Sequence, residues 1–118
     1  TPPPWKTIRA ETDVRAGGSS NIVMRGPDGT EMPNRGIYLE VVKNEKLVFT
    51  DAFTEAWIPS GKAFFVCILT FADEGGKTRY TARARHWSAE DCKAHEDMGF
   101  HVGWGIATDQ LAALAATL

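Results

Sequence analysis

The chain is poor in cysteine. It has two in 118 residues, Cys67 and Cys92, far apart and in different segments. That argues against a disulfide framework and for two reduced thiols. Long apolar runs are also missing, and none approaches the roughly 20 residues that a membrane span needs. No basic, apolar, small-residue leader is seen, so the expected location is the cytoplasm. The opening, Thr-Pro-Pro-Pro-Trp, lacks a Met and reads like the middle of a loop. Charge of one sign is lacking too. The net charge of -2 favours neither a polyanion nor an anionic membrane as partner, so neither nucleic acid nor membrane binding is expected.

Motifs that carry chemistry are scarce. His95, Glu96 and His101 invite a metal reading, but they do not make the His-Glu-x-x-His spacing that sets two imidazoles on one helical face. Gly99, Gly103 and Gly105 follow no strand and lead into no phosphate-binding turn, which excludes a dinucleotide fingerprint. No Ser or Cys sits in a nucleophile context, and no carboxylates pair at a convincing spacing. The expectation is no metal, no cofactor and no identifiable catalytic residue.

What is present is a series of alternating segments followed by one helical period. A chain of this length is one domain, residues 1–118, with enough buried surface for a core. Thr7 to Arg15 alternates in polarity and reads as a half-buried strand. Asn21 to Arg25 is a second strand, and Gly26-Pro27-Asp28-Gly29 closes its hairpin. Gly36 to Lys43 and Lys46 to Thr54 are the third and fourth, with Asn44-Glu45 turning the chain between them. Glu55 to Lys62 reads as a loop, because it holds Pro59 and Gly61. Ala63 to Ala72 is the most apolar run, so a central strand. Asp73-Glu74-Gly75-Gly76 turns into a sixth strand, Lys77 to Trp87.

The C-terminal stretch organises the rest. Ser88 is a good N-cap, with Glu90 and Asp91 in the first turn, so a short helix is expected from Ala89 to Met98. Gly99 with Phe100 behind it resembles a helix stop with its apolar latch. A long helix then runs from Phe100 to Ala116. Phe100, Trp104, Ala107, Leu111, Leu114 and Leu118 recur at steps of three and four on one stripe. The sheet is the partner on offer for that stripe. Gly103 and Gly105 each cost roughly 1 kcal/mol relative to Ala within a helix, which close approach of another backbone or space for a ligand would offset. Val102, Ile106 and Ala113 fall on the far side, and nothing in the chain obviously covers them.

In the last strand Lys77, Arg79, Thr81, Arg83 and Arg85 share one face, read as a solvated outer face. No exposed aromatic interleaves with these cations, as single-strand nucleic-acid binding would need. Tyr80, Ala82, Ala84 and His86 share the other face, with room beneath the helix. Tyr80 and His86 are the polar groups on that face: either could orient a ligand or move a proton, and the alternative for His86 is a hydrogen-bonded structural histidine near the sheet end. Trp104 on the stripe faces the sheet. Met24, Phe49, Phe53, Trp57, Phe65, Phe100 and Leu111 complete the candidate lining of a cavity between sheet and helix.

The ordered pieces resemble a known family. They are Asp13-Val14-Arg15-Ala16-Gly17-Gly18, Met24-Arg25-Gly26-Pro27-Asp28-Gly29, Gly36-Ile37-Tyr38-Leu39-Glu40, Leu47-Val48-Phe49-Thr50-Asp51, Met98-Gly99-Phe100 and Gly103-Trp104. Together they look like the bacterial branch of the activator of heat-shock-protein-90 ATPase homologue family, within the START-like (SRPBCC, Bet v-like) helix-grip superfamily. The resemblance covers essentially the whole chain. It implies an α+β fold in which a curved antiparallel sheet of about six strands wraps a long C-terminal helix. It also implies a hydrophobic ligand cavity between the two. Family members normally carry a strand and two short helices ahead of the position of Trp5. Without that cover a closed pocket is in doubt, and a homodimer becomes a further expectation.

Three functional classes follow. The first is non-enzymatic binding of a hydrophobic small molecule, with Trp104 as wall and His86 or Tyr80 as polar anchor. The second is a co-chaperone-like protein interaction, implied by the family name. The third is a cyclase- or dehydratase-like enzyme using cavity acids and bases, ranked last because no carboxylate pair is found. All three rest on the resemblance more than on any single motif.

Overall fold

The computed structural model describes residues 1–55 and 57–118. Among the described residues eight strands precede two helices. The strands are β1 (Lys6–Thr12), β2 (Ser19–Arg25), β3 (Glu31–Val42), β4 (Lys46–Thr50), β5 (Phe53–Glu55), β6 (Ile58–Pro59), β7 (Phe65–Glu74) and β8 (Lys77–His86). The helices are α1 (Ala89–Asp97) and α2 (Phe100–Ala115). Six strands form one antiparallel sheet in the order β1-β2-β3-β4-β7-β8, and β5 pairs with β6 apart from it. The expected α+β architecture, a six-stranded antiparallel sheet followed by a C-terminal helix pair, is the one observed.

Turn chemistry sets the registers. Glu74 pairs with Lys77 across a two-residue turn in which Gly75 (φ 61°) and Gly76 (φ 88°) both take positive φ. That is the twist-matched hairpin turn that glycine makes cheap. Asn44 (φ 64°) plays the comparable part between β3 and β4. In the β2–β3 turn Asp28 accepts hydrogen bonds from the backbone N–H and the hydroxyl of Thr30, at 3.0 and 2.8 Å. The Thr30 hydroxyl, foremost, holds the Asp28 carboxyl below its ordinary range.

Antiparallel pairing puts opposed residues on one face. Tyr38 pairs with Phe49, Phe49 with Cys67, and Cys67 with Ala84. Phe65 pairs with His86 and Phe71 with Tyr80. One face therefore carries Tyr38, Phe49, Phe65, Phe71, Tyr80 and His86, and both helices lie on it. The opposite face carries Lys77, Arg79, Thr81, Arg83 and Arg85, all exposed as expected. One of these cations has an acid close by, Arg79 at 3.5 Å from Glu74. Trp87, just past the end of β8, is also exposed, so an aromatic does adjoin this stripe at its end.

The core sits where β3, β4 and β7 meet. Ile37 is fully buried, Cys67 is 1% exposed, and Val48 and Tyr38 are buried beside them. Thr50 is polar yet only 2% exposed. It is satisfied because its hydroxyl donates to the Phe65 carbonyl at 2.8 Å and accepts from the Ala52 N–H at 3.1 Å.

Four expectations need correction. The first strand is not half-buried: all of β1 is exposed, because it is an edge strand paired only with β2. The third strand begins at Glu31, five residues before Gly36, since β2 extends its ladder through Pro33 and Met32. The fourth strand ends at Thr50, and the chain after it forms the separate β5–β6 pair within what reads as strand end and loop. Ala56, in the expected loop, lies outside the described residues. The long helix is the fourth case. Phe100, Gly103, Trp104, Ala107 and Thr108 are half-buried, but no α2 residue is fully buried. Leu111 is 45% exposed and Leu114 59%. The helix is held at its N-terminal half, and its later turns stand clear of the sheet.

No helix among the described residues is long and apolar enough to cross a membrane.

Candidate functional site

The site grows out of the junction between β8 and α1. β8 ends at His86, Trp87 follows, and Ser88 caps α1 by accepting from the Asp91 N–H at 3.1 Å. That short connection folds α1 back beside β8. Two turns into α1, His95 comes down beside His86, with His86 Nε2 and His95 Nδ1 2.8 Å apart. Gly99, in a left-handed conformation (φ 88°), then stops α1 and redirects the chain into α2. The redirection sets Phe100 against the His95 ring, at a centroid distance of 4.7 Å.

Aromatic side chains surround the histidine pair. Phe64 lies 5.5 Å from His86 and 5.1 Å from His95. Phe65 lies 5.3 Å from His95 and stacks on His86 at 6.5 Å. Asp51 anchors this corner, its Oδ1 accepting from the N–H groups of Phe64 and Phe65 at 2.9 and 3.2 Å. Partial burial pushes the His95 imidazole below its ordinary value. The neighbouring His86 ring pushes the same way, and the Asp51 charge pulls weakly against both.

A second polar contact joins helix and sheet. Trp104 Nε1 donates to the Tyr80 hydroxyl at 3.2 Å, between α2 and β8. Trp104 also lies 5.7 Å from Phe100, and Tyr80 5.5 Å from Phe71. On the sheet, Phe65 meets Phe49 at 6.4 Å, and Phe49 meets Tyr38 at 6.3 Å. The result is one connected aromatic row on the inner face. It runs from Tyr38 through Phe49, Phe65, the histidines and Phe100 to Trp104 and Tyr80. All of it except Tyr38 is only half-buried.

Six of the ten residues singled out in the sequence are thus brought together: His86, Tyr80, Phe49, Phe65, Phe100 and Trp104. Met24 lies on the same sheet face by register, toward the β1 edge, since it pairs with Thr7 and Met32. Phe53 and Trp57 pair with each other at 5.7 Å, away from this row, and Trp57 is 60% exposed. Leu111 is on the expected helix stripe but exposed.

Sequence reasoning missed His95 and Phe64. In the sequence His95 stands out only as a member of an incomplete metal motif. The usable signal is a helix beginning three residues after His86, which brings its second turn back toward the strand end. The two glycines beside Trp104 also differ from expectation. Gly103 has Pro2 as its neighbour, 3.9 Å from where a Cβ would lie, and Gly105 faces open space.

Cys67, at the centre of the same face, is buried, and burial pushes its thiol up to about 12. No group of three or more His, Cys, Asp or Glu among the described residues is arranged to hold a metal ion. A hollow of about 340 Å³ lies elsewhere, lined by Glu11, Asp13, Asn21, Arg35 and Thr54 among others. Another, of about 320 Å³, is bounded by Val66, Arg85, His86 and Trp87. Residues of α2 line neither hollow, and the half-buried aromatic row is open on one side, in line with the doubt over a closed pocket.

Comparison with known proteins agrees with this architecture. Residues 3–116 match the family described as Activator of Hsp90 ATPase homolog 1-like protein. A crystal structure of a Nitrosomonas europaea protein is 35% identical, with a TM-score of 0.93, over 98% of this chain and 75% of that one. A Mycobacterium smegmatis protein is 28% identical, with a TM-score of 0.76, over 96% of this chain and 71% of that one. A Staphylococcus aureus protein of unknown function shares the fold at 21% identity and a TM-score of 0.65, over 94% of this chain and 72% of that one. No curated protein matches the chain. With all but its first two and last two residues matched, the chain belongs to the Activator of Hsp90 ATPase homolog 1-like family.

Proposed function

We propose that this chain binds a hydrophobic small molecule in the groove between the inner sheet face and α2. One observation carries the reading: the aromatic row is continuous yet only half-buried, beneath a helix whose own apolar stripe is left exposed from Leu111 onward. Each 100 Å² of such surface removed from water is worth about 2.5 kcal/mol before the cost of association. Two half-buried polar contacts, Trp104–Tyr80 and His86–His95, are spaced along the row as anchors. A mostly apolar site with a few convergent polar groups is the usual form of a ligand site. Phe49, Phe65, Phe100 and Trp104 supply the wall, Met24 its far end, and Leu111 the helix edge. Phe53 and Trp57 take no part. No metal or cofactor enters this reading.

Native mass spectrometry tests it directly. Protein sprayed gently and then under denaturing conditions should release a co-purified small molecule, or take up one equivalent of a naphthalene-sized probe. An empty protein that takes up no such probe at millimolar concentration would overturn the reading.

A further inference from the structure

Two imidazoles in hydrogen-bond contact within an aromatic box are a specific chemical device. With both rings neutral, one N–H proton lies in the bridge between His86 Nε2 and His95 Nδ1. The second proton must then sit on one outer nitrogen, His86 Nδ1 or His95 Nε2, leaving the other bare. Adding one proton to the bare nitrogen makes both outer nitrogens donors and gives the pair a single positive charge. Such a pair is neutral and tolerable to bury when empty, and cationic when an anion is beside it.

We propose that the His86–His95 pair anchors the carboxyl group of a hydrophobic organic acid lying on the aromatic row. This rests on the ligand reading above and narrows it to acids. The proton balance is simple. A carboxylic acid loses its O–H proton to the bare imidazole nitrogen, or a carboxylate brings a proton from solvent. The product in either case is a carboxylate beside an imidazolium, joined by a charge-assisted hydrogen bond.

The surroundings favour an incoming anion over an internal one. Asp51 faces His95 from the chain after β4, but its Oδ1 is held by the Phe64 and Phe65 amides. From the start of β7 and the residue before it the neighbours are the uncharged Phe65 and Phe64, and from α2 the uncharged Phe100. His101 and Glu96 lie 3.9 Å apart and are exposed. Arg85, next to His86 on β8, belongs to the opposite sheet face. The uncharged flanks suit the body of the acid: Phe64 is edge-on to His86, and Phe65 stacks on it.

The test compares 1-naphthoic acid with 1-naphthamide, which has the same apolar body and no acid. Binding to the intact protein is measured by titration calorimetry at pH 6 and pH 8, in buffers of different ionisation enthalpy. The acid should bind about tenfold tighter at pH 6 than at pH 8, with proton uptake averaging about half a proton across that range. The amide should bind equally at both. His95→Gln should bring the acid to the affinity of the amide and abolish its pH dependence. Equal, pH-independent binding of acid and amide would overturn this inference and leave the hydrophobic-ligand reading standing. Binding of neither would overturn both. If His95→Gln does not fold, the comparison of the two probes on the unaltered protein decides the matter alone.

Discussion

Tyr80→Phe isolates what holds α2 to the sheet. The substitution deletes the acceptor of the Trp104 Nε1–H bond at 3.2 Å and little else. The phenyl ring keeps its contact with Phe71 at 5.5 Å. A hydrogen bond of this kind contributes about 0.5–1.5 kcal/mol net. The bond is long and both partners are half-buried, so about 1 kcal/mol is the working figure. Since α2 buries no residue fully, its remaining support is narrow: Phe100 on His95, and Gln110 exchanging hydrogen bonds with the Thr1 amine and carbonyl at 3.2 and 3.1 Å. The loss should therefore appear as local opening of α2 and not as global unfolding. At about 1.4 kcal/mol per factor of ten, the opening equilibrium should rise about fivefold. Native-state hydrogen exchange followed by NMR reads this directly. Amides of residues 103–110 should exchange about fivefold faster, while those of Cys67 and Ile68 in β7 keep their protection. Unchanged rates in α2, or an equal loss in β7, would refute the reasoning that the helix is a separately mobile lid on a stable sheet.

Other perturbations separate the sheet from the site. Thr50→Val should cost about 1 kcal/mol globally, because it removes the hydroxyl that pairs the part-buried Phe65 carbonyl and Ala52 N–H; urea unfolding should show a lower midpoint at unchanged slope, and a loss below about 0.5 kcal/mol would refute the role assigned to the hydroxyl. Iodoacetamide at pH 8 should label exposed Cys92 in the native protein and spare Cys67, whose thiol burial pushes up to about 12; prompt labelling of both would show that the inner face opens. His95 is held below 6.5 in the folded state, so below that value the unfolded chain binds more protons than the folded one. Stability should fall as pH falls through 6.5 toward the lower folded value, and His95→Gln should flatten that fall; identical acid profiles for the two proteins would contradict it.

The sheet was largely legible because alternation is a local signal. Residues of β8 announce two faces by type alone, and the glycine pair at 75–76 fixes the hairpin. The first part of β3 was not legible. Pro33 and Asn34 look unlike a strand, and only pairing with β2 makes them one. The β5–β6 pair was hidden for a similar reason, as its strands are two and three residues long. The helix stripe was read correctly as a pattern but wrongly as a buried one. Periodicity gives the apolar face, whereas its burial depends on how far the sheet extends beneath it. The site divided along the same line. Tyr80, His86, Phe65 and Trp104 could be assigned to facing surfaces. The spacing of the helix start brings His95 near the strand end, but its contact with His86 also depends on the angle at which α1 leaves β8, which spacing alone does not set.

The claim that matters most is that a ligand enters between α2 and β8. The chain has four tryptophans, Trp5, Trp57, Trp87 and Trp104, so a nitrogen-15 spectrum separates four indole N–H signals. Titration with neutral 1-naphthamide, which avoids any effect of charge, should move the Trp104 signal, because its N–H is the one bonded to Tyr80. The Trp57 and Trp87 signals should stay in place, since both rings are exposed outside the aromatic row. A Trp104 signal that does not move while Trp57 or Trp87 shifts would place binding elsewhere and contradict the account.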